Sequence, residues 1–276
     1  MEKLRIDLDG IIRARAGGWK ARMIPRPLTY ALERLIHQTE LNAMLDATWP
    51  AEGTAFADAL YAHLRLSVST RGEENIPPEG RFIFASNHPL GGLDGIGLIK
   101  VLGARYGDAG IRFLVNDMLM NVGPLRPVFL PVNKYGSQGR EAARAIAAAY
   151  ASDMQILIFP AGLVSRLHPD GSISDLVWQK SFIQKAVEYQ RDIIPVRFEG
   201  LNRSRFYRTA YWRKRLGLKV NIEQAMLPAE LCAARGNSYR VTFGRPISWR
   251  TLADRIAGGA SPVALAAEIR ATVYAL

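Results

Sequence analysis

The chain has four histidines, and one of them stands where a base could work. His37 and His63 lie inside helical patterns with no polar partner at a catalytic spacing, and His168 belongs to the turn sequence His-Pro-Asp-Gly. His88 follows the apolar run Phe82-Ile83-Phe84-Ala85 and lies in Asn87-His88-Pro89-Leu90-Gly91-Gly92-Leu93-Asp94-Gly95. The end of a parallel strand, opening through glycines into a helix, is where α/β folds place ligands and reactive groups. A histidine and an aspartate brought together there can serve as a general base and its orienting carboxylate. The same residues also suit a structural role, with Asp94 as helix N-cap and His88 as a hydrogen-bonded loop residue. On local features both readings stand.

Other chemistries find little support. There is no Gly-x-Ser-x-Gly, no His-Glu-x-x-His, no P-loop and no dinucleotide-binding glycine fingerprint. A base at His88 would therefore need its nucleophile from elsewhere, most simply from a substrate hydroxyl. The single cysteine, Cys232, excludes an internal disulfide and any multi-cysteine metal site, and suits a reducing compartment.

The elements that would position these residues alternate between strand and helix. Leu28, Leu32, Leu35, Ile36 and Met44 recur at helical spacing over 27–46, and 54–63 reads as a second helix. Strand-like runs follow at 64–70, 81–86, 111–115, 128–132, 155–159, 193–198, 219–222 and 239–243. Helical patterns fall at 94–105, 138–151, 175–189 and from Ser261 onward. This order predicts a single α/β domain over 64–276, a largely parallel mixed central sheet flanked by helices. Residues 1–63 are expected to form a helical, membrane-facing appendage to it.

Composition sets the outer limits. The 276 residues are 49% hydrophobic and 22% charged, which is the balance of a folded chain. No apolar run reaches the roughly 18 to 20 residues that a spanning helix needs. The opening Met1-Glu2-Lys3 has no apolar segment of the signal-peptide kind, so a cytosolic location is expected, free or on a membrane surface. The net charge of +11 is unevenly spread: +4 over residues 1–26, +9 over 191–276, and −2 between them. The densest basic stretch, Arg203, Arg205, Arg208, Arg213, Lys214, Arg215 and Lys219, is interleaved with Phe206, Tyr207, Tyr211 and Trp212. Such a stretch fits nucleic acid, a lipid headgroup layer, an acidic protein, or simply a solvated helix face.

Taken in order along the chain, these motifs resemble the glycerolipid (lysophosphatidic-acid-type) acyltransferase superfamily. Asn87-His88 and Asp94 match its first motif, although the family spacing is four and five residues intervene here. Phe129-Leu130-Pro131-Val132-Asn133-Lys134 is similar to the second, with Lys134 in place of an arginine. Phe159-Pro160-Ala161-Gly162-Leu163-Val164-Ser165-Arg166 is similar to the third, with Ala161 in place of a glutamate. Ile194-Pro195-Val196 matches the fourth. The resemblance spans residues 81–197, and the helical N-terminus fits it as well.

The resemblance implies direct acyl transfer without an acyl-enzyme. His88 would take the proton from the acceptor hydroxyl, and Asp94 would fix the imidazole tautomer. Asn87, Lys134, Gly162, Ser165 and Arg166 would contact substrate, and no metal or redox cofactor would be needed. The donor would be acyl-carrier protein or acyl-CoA. Lys134 and Ala161 depart from residues that the family associates with a phosphate-bearing acceptor, and lysine lacks the bidentate fork that arginine offers to phosphate. The detailed pattern looks most like the lyso-ornithine-lipid and lyso-glycine-lipid O-acyltransferases, with lysophosphatidic acid as the alternative acceptor. Expected partners are a lysolipid, the acyl carrier and an anionic membrane surface on the cytoplasmic side. Two non-enzymatic alternatives are a nucleic-acid binder using 203–219, against which no nucleic-acid module is found, and a lipid binder that has lost activity.

Overall fold

The computed structural model of the chain describes residues 3–17, 23–132, 139–218 and 222–276. Four helices come first: α1 (Leu8–Ala16), α2 (Arg26–Leu35), α3 (Gln38–Thr48) and α4 (Gly53–His63). The single helix expected over 27–46 is two helices, because His37 takes a left-handed φ of 53° between α2 and α3. Helix α4 is not part of an appendage. Phe56, Ala57, Leu60 and Tyr61 are buried in the same core as the central sheet, and Met44 of α3 joins them.

Strands and helices then alternate. They are β1 (Ser67–Arg71), β2 (Phe82–Ser86), α5 (Leu93–Tyr106), β3 (Ile111–Asn116), β4 (Phe129–Val132), α6 (Arg140–Ala151) and β5 (Gln155–Ile158). The short pair β6 (Arg166–Leu167) and β7 (Ile173–Ser174) leads to α7 (Ser181–Glu188) and β8 (Asp192–Glu199). The chain ends with α8 (Ser204–Arg215), α9 (Leu227–Ala233), β9 (Ser238–Phe243), α10 (Trp249–Ala257) and α11 (Pro262–Ala275).

Three boundaries differ from expectation for identifiable reasons. Leu64 caps α4 and Arg65 is left-handed at φ 53°, so β1 begins only at Ser67. The helix expected from Asp175 begins at Ser181, because Asp175 is held in non-helical backbone by partners from three other segments. The strand expected at 219–222 lies outside the described residues except for Ile222, which opens a 3-10 turn.

Seven strands form one sheet in the order β1-β9-β8-β2-β5-β3-β4. All neighbours are parallel except β8 and β9, which run antiparallel. The result is the expected single α/β domain with a mixed, largely parallel sheet. Strand β2 is buried throughout and serves both faces. Phe82 and Phe84 pack with α4 and α5, whereas Ile83 and Ala85 pack with Phe182 and Ile183 of α7 and Leu265 and Ile269 of α11. Burial on both faces explains why this strand is a continuous apolar run rather than an alternating one.

A buried cation secures the end of α6. Arg191 is fully buried and donates to the carbonyls of Ala149 (3.1 Å), Tyr150 (2.7 Å), Ser152 and Met154 (2.7 Å). Burial lowers its pKa to about 10, and the carbonyls at a helix C-terminus, its negative end, still favour the charged form. Among the described residues, no helix is long and apolar enough to cross a membrane.

Candidate active site

Strand β2 delivers the site. It pairs with β8 as far as Ser86↔Val196. Beyond that point the Asn87 side chain stands in for backbone pairing. Its oxygen accepts the Phe198 N–H at 2.7 Å, and its amide donates to the Phe198 carbonyl at 3.0 Å. The next residue, His88, is thereby projected past the carboxyl edge of the sheet.

Helix α5 supplies the partner. The Tyr61 hydroxyl of α4 donates to the Leu93 carbonyl at 3.0 Å and anchors the start of α5. Close packing here needs Gly97, where a Cβ would lie 2.2 Å from the Tyr61 hydroxyl. Asp94 in the first turn is fully buried, and its Oδ2 accepts the His88 Nδ1–H at 2.9 Å. The same oxygen accepts the Leu90 N–H (2.8 Å) and Gly91 N–H (3.2 Å), while Oδ1 accepts the Gly95 N–H (2.9 Å). Burial alone would raise the Asp94 pKa. The His88 imidazole, as charge and as donor, and the Leu90 and Gly95 N–H groups outweigh it and hold the carboxyl below the usual carboxylate range. An ionised Asp94 takes its proton-bearing partner at Nδ1, so the neutral form of the His88 ring carries its lone pair at Nε2. Nε2 makes no hydrogen bond among the described residues.

The ring is fixed in a second way. Phe159, first residue of Phe159-Pro160-Ala161-Gly162, stacks on it at 3.9 Å between centroids and 19° between planes. The loop between His88 and Asp94 is pinned from outside: the Pro89 carbonyl accepts from the Tyr207 hydroxyl (3.2 Å) and the Asn202 amide (3.3 Å). The extra residue of this loop is accommodated at Gly91. Its φ is 83°, and a Cβ would lie 2.7 Å from a Val164 methyl. Gly92, at φ −157°, has no such need.

His88 and Asp94 are thus brought together as expected, and Asp94 acts as the acceptor for the whole loop as well. The five residues expected to touch substrate fare differently. Asn87 is spent on Phe198. The Gly162 N–H closes a turn onto the Phe159 carbonyl at 2.9 Å, in a left-handed conformation of φ 64°. Ser165 gives its N–H to the His88 carbonyl (2.8 Å) and its hydroxyl to Asp175 (2.6 Å). Arg166 is buried, donates to the Val164 carbonyl (2.8 Å) and pairs with the fully buried Glu223 at 3.1 Å, which Arg213 also approaches at 2.8 Å. Asn87, Ser165 and Arg166 build the scaffold, because each is buried and its polar groups find partners inside the protein; Gly162 is exposed. Lys134 lies outside the described residues.

Residues that sequence reasoning passed over complete the site. Asp175, Trp178 and Tyr274 converge behind His88 and Ser165, the last of them 99 residues from Asp175 along the chain. Phe159 was visible only as part of a motif, with nothing to say that its ring would stack on the histidine. The Asp175-x-x-Trp178 spacing reads as the first turn of a helix, which hid it.

Comparison with known proteins adds a separate observation. A family model described as Acyltransferase matches residues 12–262. Two relatives are called lyso-glycine lipid O-acyltransferase, one from Phocaeicola vulgatus and one from Bacteroides thetaiotaomicron. Each is 42% identical over 246 residues, which is 89% of this chain and 87% and 89% of theirs respectively. The crystal structure of a 1-acyl-sn-glycerophosphate acyltransferase from Thermotoga maritima aligns over 96% of this chain and 84% of that one, at 18% identity and a TM-score of 0.47.

Proposed function

The chain belongs to the acyltransferase family, and from that premise we propose that it moves a fatty acyl group from a thioester donor to the hydroxyl of a lyso-amino-lipid. The observation that carries the chemistry is the His88 Nδ1–Asp94 contact of 2.9 Å, which leaves Nε2 as the acceptor. Nε2 takes the proton of the acceptor hydroxyl as its oxygen attacks the thioester carbonyl. The tetrahedral intermediate collapses, the carbon–sulfur bond breaks, and the imidazolium returns its proton to the leaving thiolate. Asp94 stabilises the imidazolium between the two transfers. No step calls for a metal or redox cofactor, and the donor is acyl-carrier protein or acyl-CoA.

The acceptor assignment is supported by the relatives' names and by the third motif. Ala161 packs its methyl against the core, so the position offers no polar group for a headgroup. Given lysophosphatidic acid and a lyso-glycine lipid side by side, the enzyme is expected to favour the second in kcat/KM. A preference of about tenfold or more for lysophosphatidic acid, some 1.4 kcal/mol, would replace this reading with the phospholipid one.

The lipid acceptor implies a peripheral approach to the anionic cytoplasmic leaflet, and the surface of α8 supports it. Trp212, Leu216, Leu218 and Ile222 are 47–71% exposed and, with Arg205, Arg208 and Arg213, line a hollow of about 450 Å³. The basic stretch is less free than its sequence suggests. Arg203 and Arg205 pair with Glu230 at 3.1 and 3.3 Å, and Arg213 is taken by Glu223. Arg208, Lys214 and Arg215 have no carboxylate partner among the described residues. Trp19, Lys20 and Arg22 of the N-terminal basic segment lie outside the described residues, whereas Met23 and Leu28 beside them are exposed. Each cation near an anionic leaflet contributes about 1 kcal/mol at best. Reversing charge at Arg208, Lys214 and Arg215 is therefore expected to reduce co-sedimentation with anionic vesicles at low salt. Activity on detergent-dispersed acceptor should be kept. Wild-type binding should fall steeply, though not to zero, at about 0.5 M salt, since the apolar contribution is not screened. Equal, salt-independent binding to neutral and anionic vesicles would count against this docking face.

A further inference from the structure

Asp175 is a buried carboxylate that the proposed mechanism does not use. It is 1% exposed and follows β7, 87 residues beyond His88. Its Oδ1 accepts the His88 backbone N–H at 3.2 Å and the Ser165 hydroxyl at 2.6 Å, and its Oδ2 accepts the Trp178 indole N–H at 2.9 Å. Ser165 meets His88 from the other side, giving its N–H to the His88 carbonyl at 2.8 Å. Both backbone polar groups of His88 are thus held by the segment 165–175, whereas its ring is held by Asp94 on α5. Asp175 is itself held from α11: its N–H donates to the Tyr274 hydroxyl at 2.7 Å, and its carbonyl accepts from Arg270 at 2.6 Å.

We infer that Asp175 is a positioning residue for the His88 base, setting its backbone so that Nε2 meets the acceptor hydroxyl. This rests on His88 being the base of the acyl transfer proposed above. The physical reason lies in the two separate anchors. The direction of the Cα–Cβ bond follows the backbone, and Asp175 fixes the backbone. Asp94 fixes only the Nδ1 end and the Phe159 stack only the ring plane, within which the ring can turn about Nδ1 once the backbone is released. A misplacement of about 1 Å at a reacting group costs on the order of 100-fold in rate. Asp175 acts through His88 and does not touch substrate.

The discriminating comparison is Asp175→Ala against Asp175→Asn, with steady-state kinetics on a lyso-glycine lipid and an acyl thioester. Asp175→Ala removes the acceptor from His88 and is expected to lower kcat by about 10- to 100-fold, with KM for both substrates within about twofold. Asp175→Asn can keep its one oxygen at the Oδ1 position, toward His88 and Ser165, and is expected to recover kcat to within about fivefold of the wild type. Tyr274→Phe, which loosens Asp175 from behind, keeps the test alive if Asp175→Ala does not fold; a kcat loss of about 3- to 10-fold at unchanged KM is expected. The assignment is overturned if Asp175→Ala, or Tyr274→Phe in its place, keeps wild-type kcat. A loss seen only in KM, or an asparagine variant as impaired as the alanine one, overturns it too. His88→Ala in the same assay separates the two levels: its retention of activity would remove the base assignment itself, whereas an inactive His88→Ala beside a fully active Asp175→Ala removes only the positioning role.

Discussion

His88→Ala is expected to lower kcat by about 100- to 10,000-fold, the usual contribution of a positioned general base. The geometry predicts that the loss is catalytic and not a matter of folding. Among the described residues the imidazole is the one side-chain donor to Asp94, and three backbone N–H groups, from Leu90, Gly91 and Gly95, continue to satisfy that carboxylate. The backbone of residue 88 keeps its contacts with Asp175 and Ser165. What is lost in packing is one stacked ring against Phe159, so a melting shift of a few degrees is expected, measured by calorimetry. The comparison should be made at saturating donor and acceptor, where kcat reports the chemical step most directly. A variant that keeps more than about a tenth of the wild-type rate would remove His88 from the mechanism, because a positioned base contributes at least about 100-fold.

The pairing of His88 with Asp94 was legible in the sequence because its position was local. Asn87, His88 and Asp94 fall within eight residues, at the junction of an apolar strand and a glycine-led helix, and a junction of that kind has a known place in α/β folds. The alternation of short apolar runs with helical patterns likewise announced the sheet. What could not be read is long-range. Asp175 has the appearance of a helix-starting residue, and only the folded chain shows its carboxylate drawn to His88, Ser165 and Trp178 instead. Ser165 and Arg166 were expected at substrate because the resemblance of their motif to the family's third implied it. The Ser165 hydroxyl goes to Asp175 and Arg166 pairs with Glu223, which stands 57 residues further along the chain. The basic stretch misled in a similar way: a count of charges cannot reveal that Glu230 neutralises two of them. Sequence patterns report which residues share a face or a loop; they do not report which acceptor, far away in the chain, claims a given donor.

Asp94→Asn is expected to cost about 100- to 10,000-fold in kcat as well, by a route the hydrogen bonds make specific. An asparagine has one oxygen for four donors. If its NH2 group takes the Oδ2 position, it confronts the Leu90 and Gly91 N–H groups and forces His88 to accept at Nδ1, which puts the proton on Nε2 and abolishes the base. If the oxygen takes that position, the tautomer survives and the NH2 group confronts only the Gly95 N–H. One conflict is cheaper than two, each costing about 1–3 kcal/mol, so the second orientation is expected to prevail. The rate then falls chiefly because the imidazolium formed during transfer no longer faces a negative charge. Stability supplies an independent check. The Asp94 carboxyl is held below its ordinary range in the folded protein, so its contribution is fully present above its unfolded pKa, near 3.9, and is lost as pH falls through the lower folded value. Urea unfolding of the two proteins should show a stability gap that narrows as the pH falls below about pH 4. A gap that widened on acidification would mean that Asp94 is protonated in the native protein, and an Asp94→Asn enzyme with wild-type kcat would reduce Asp94 to a cap for α5.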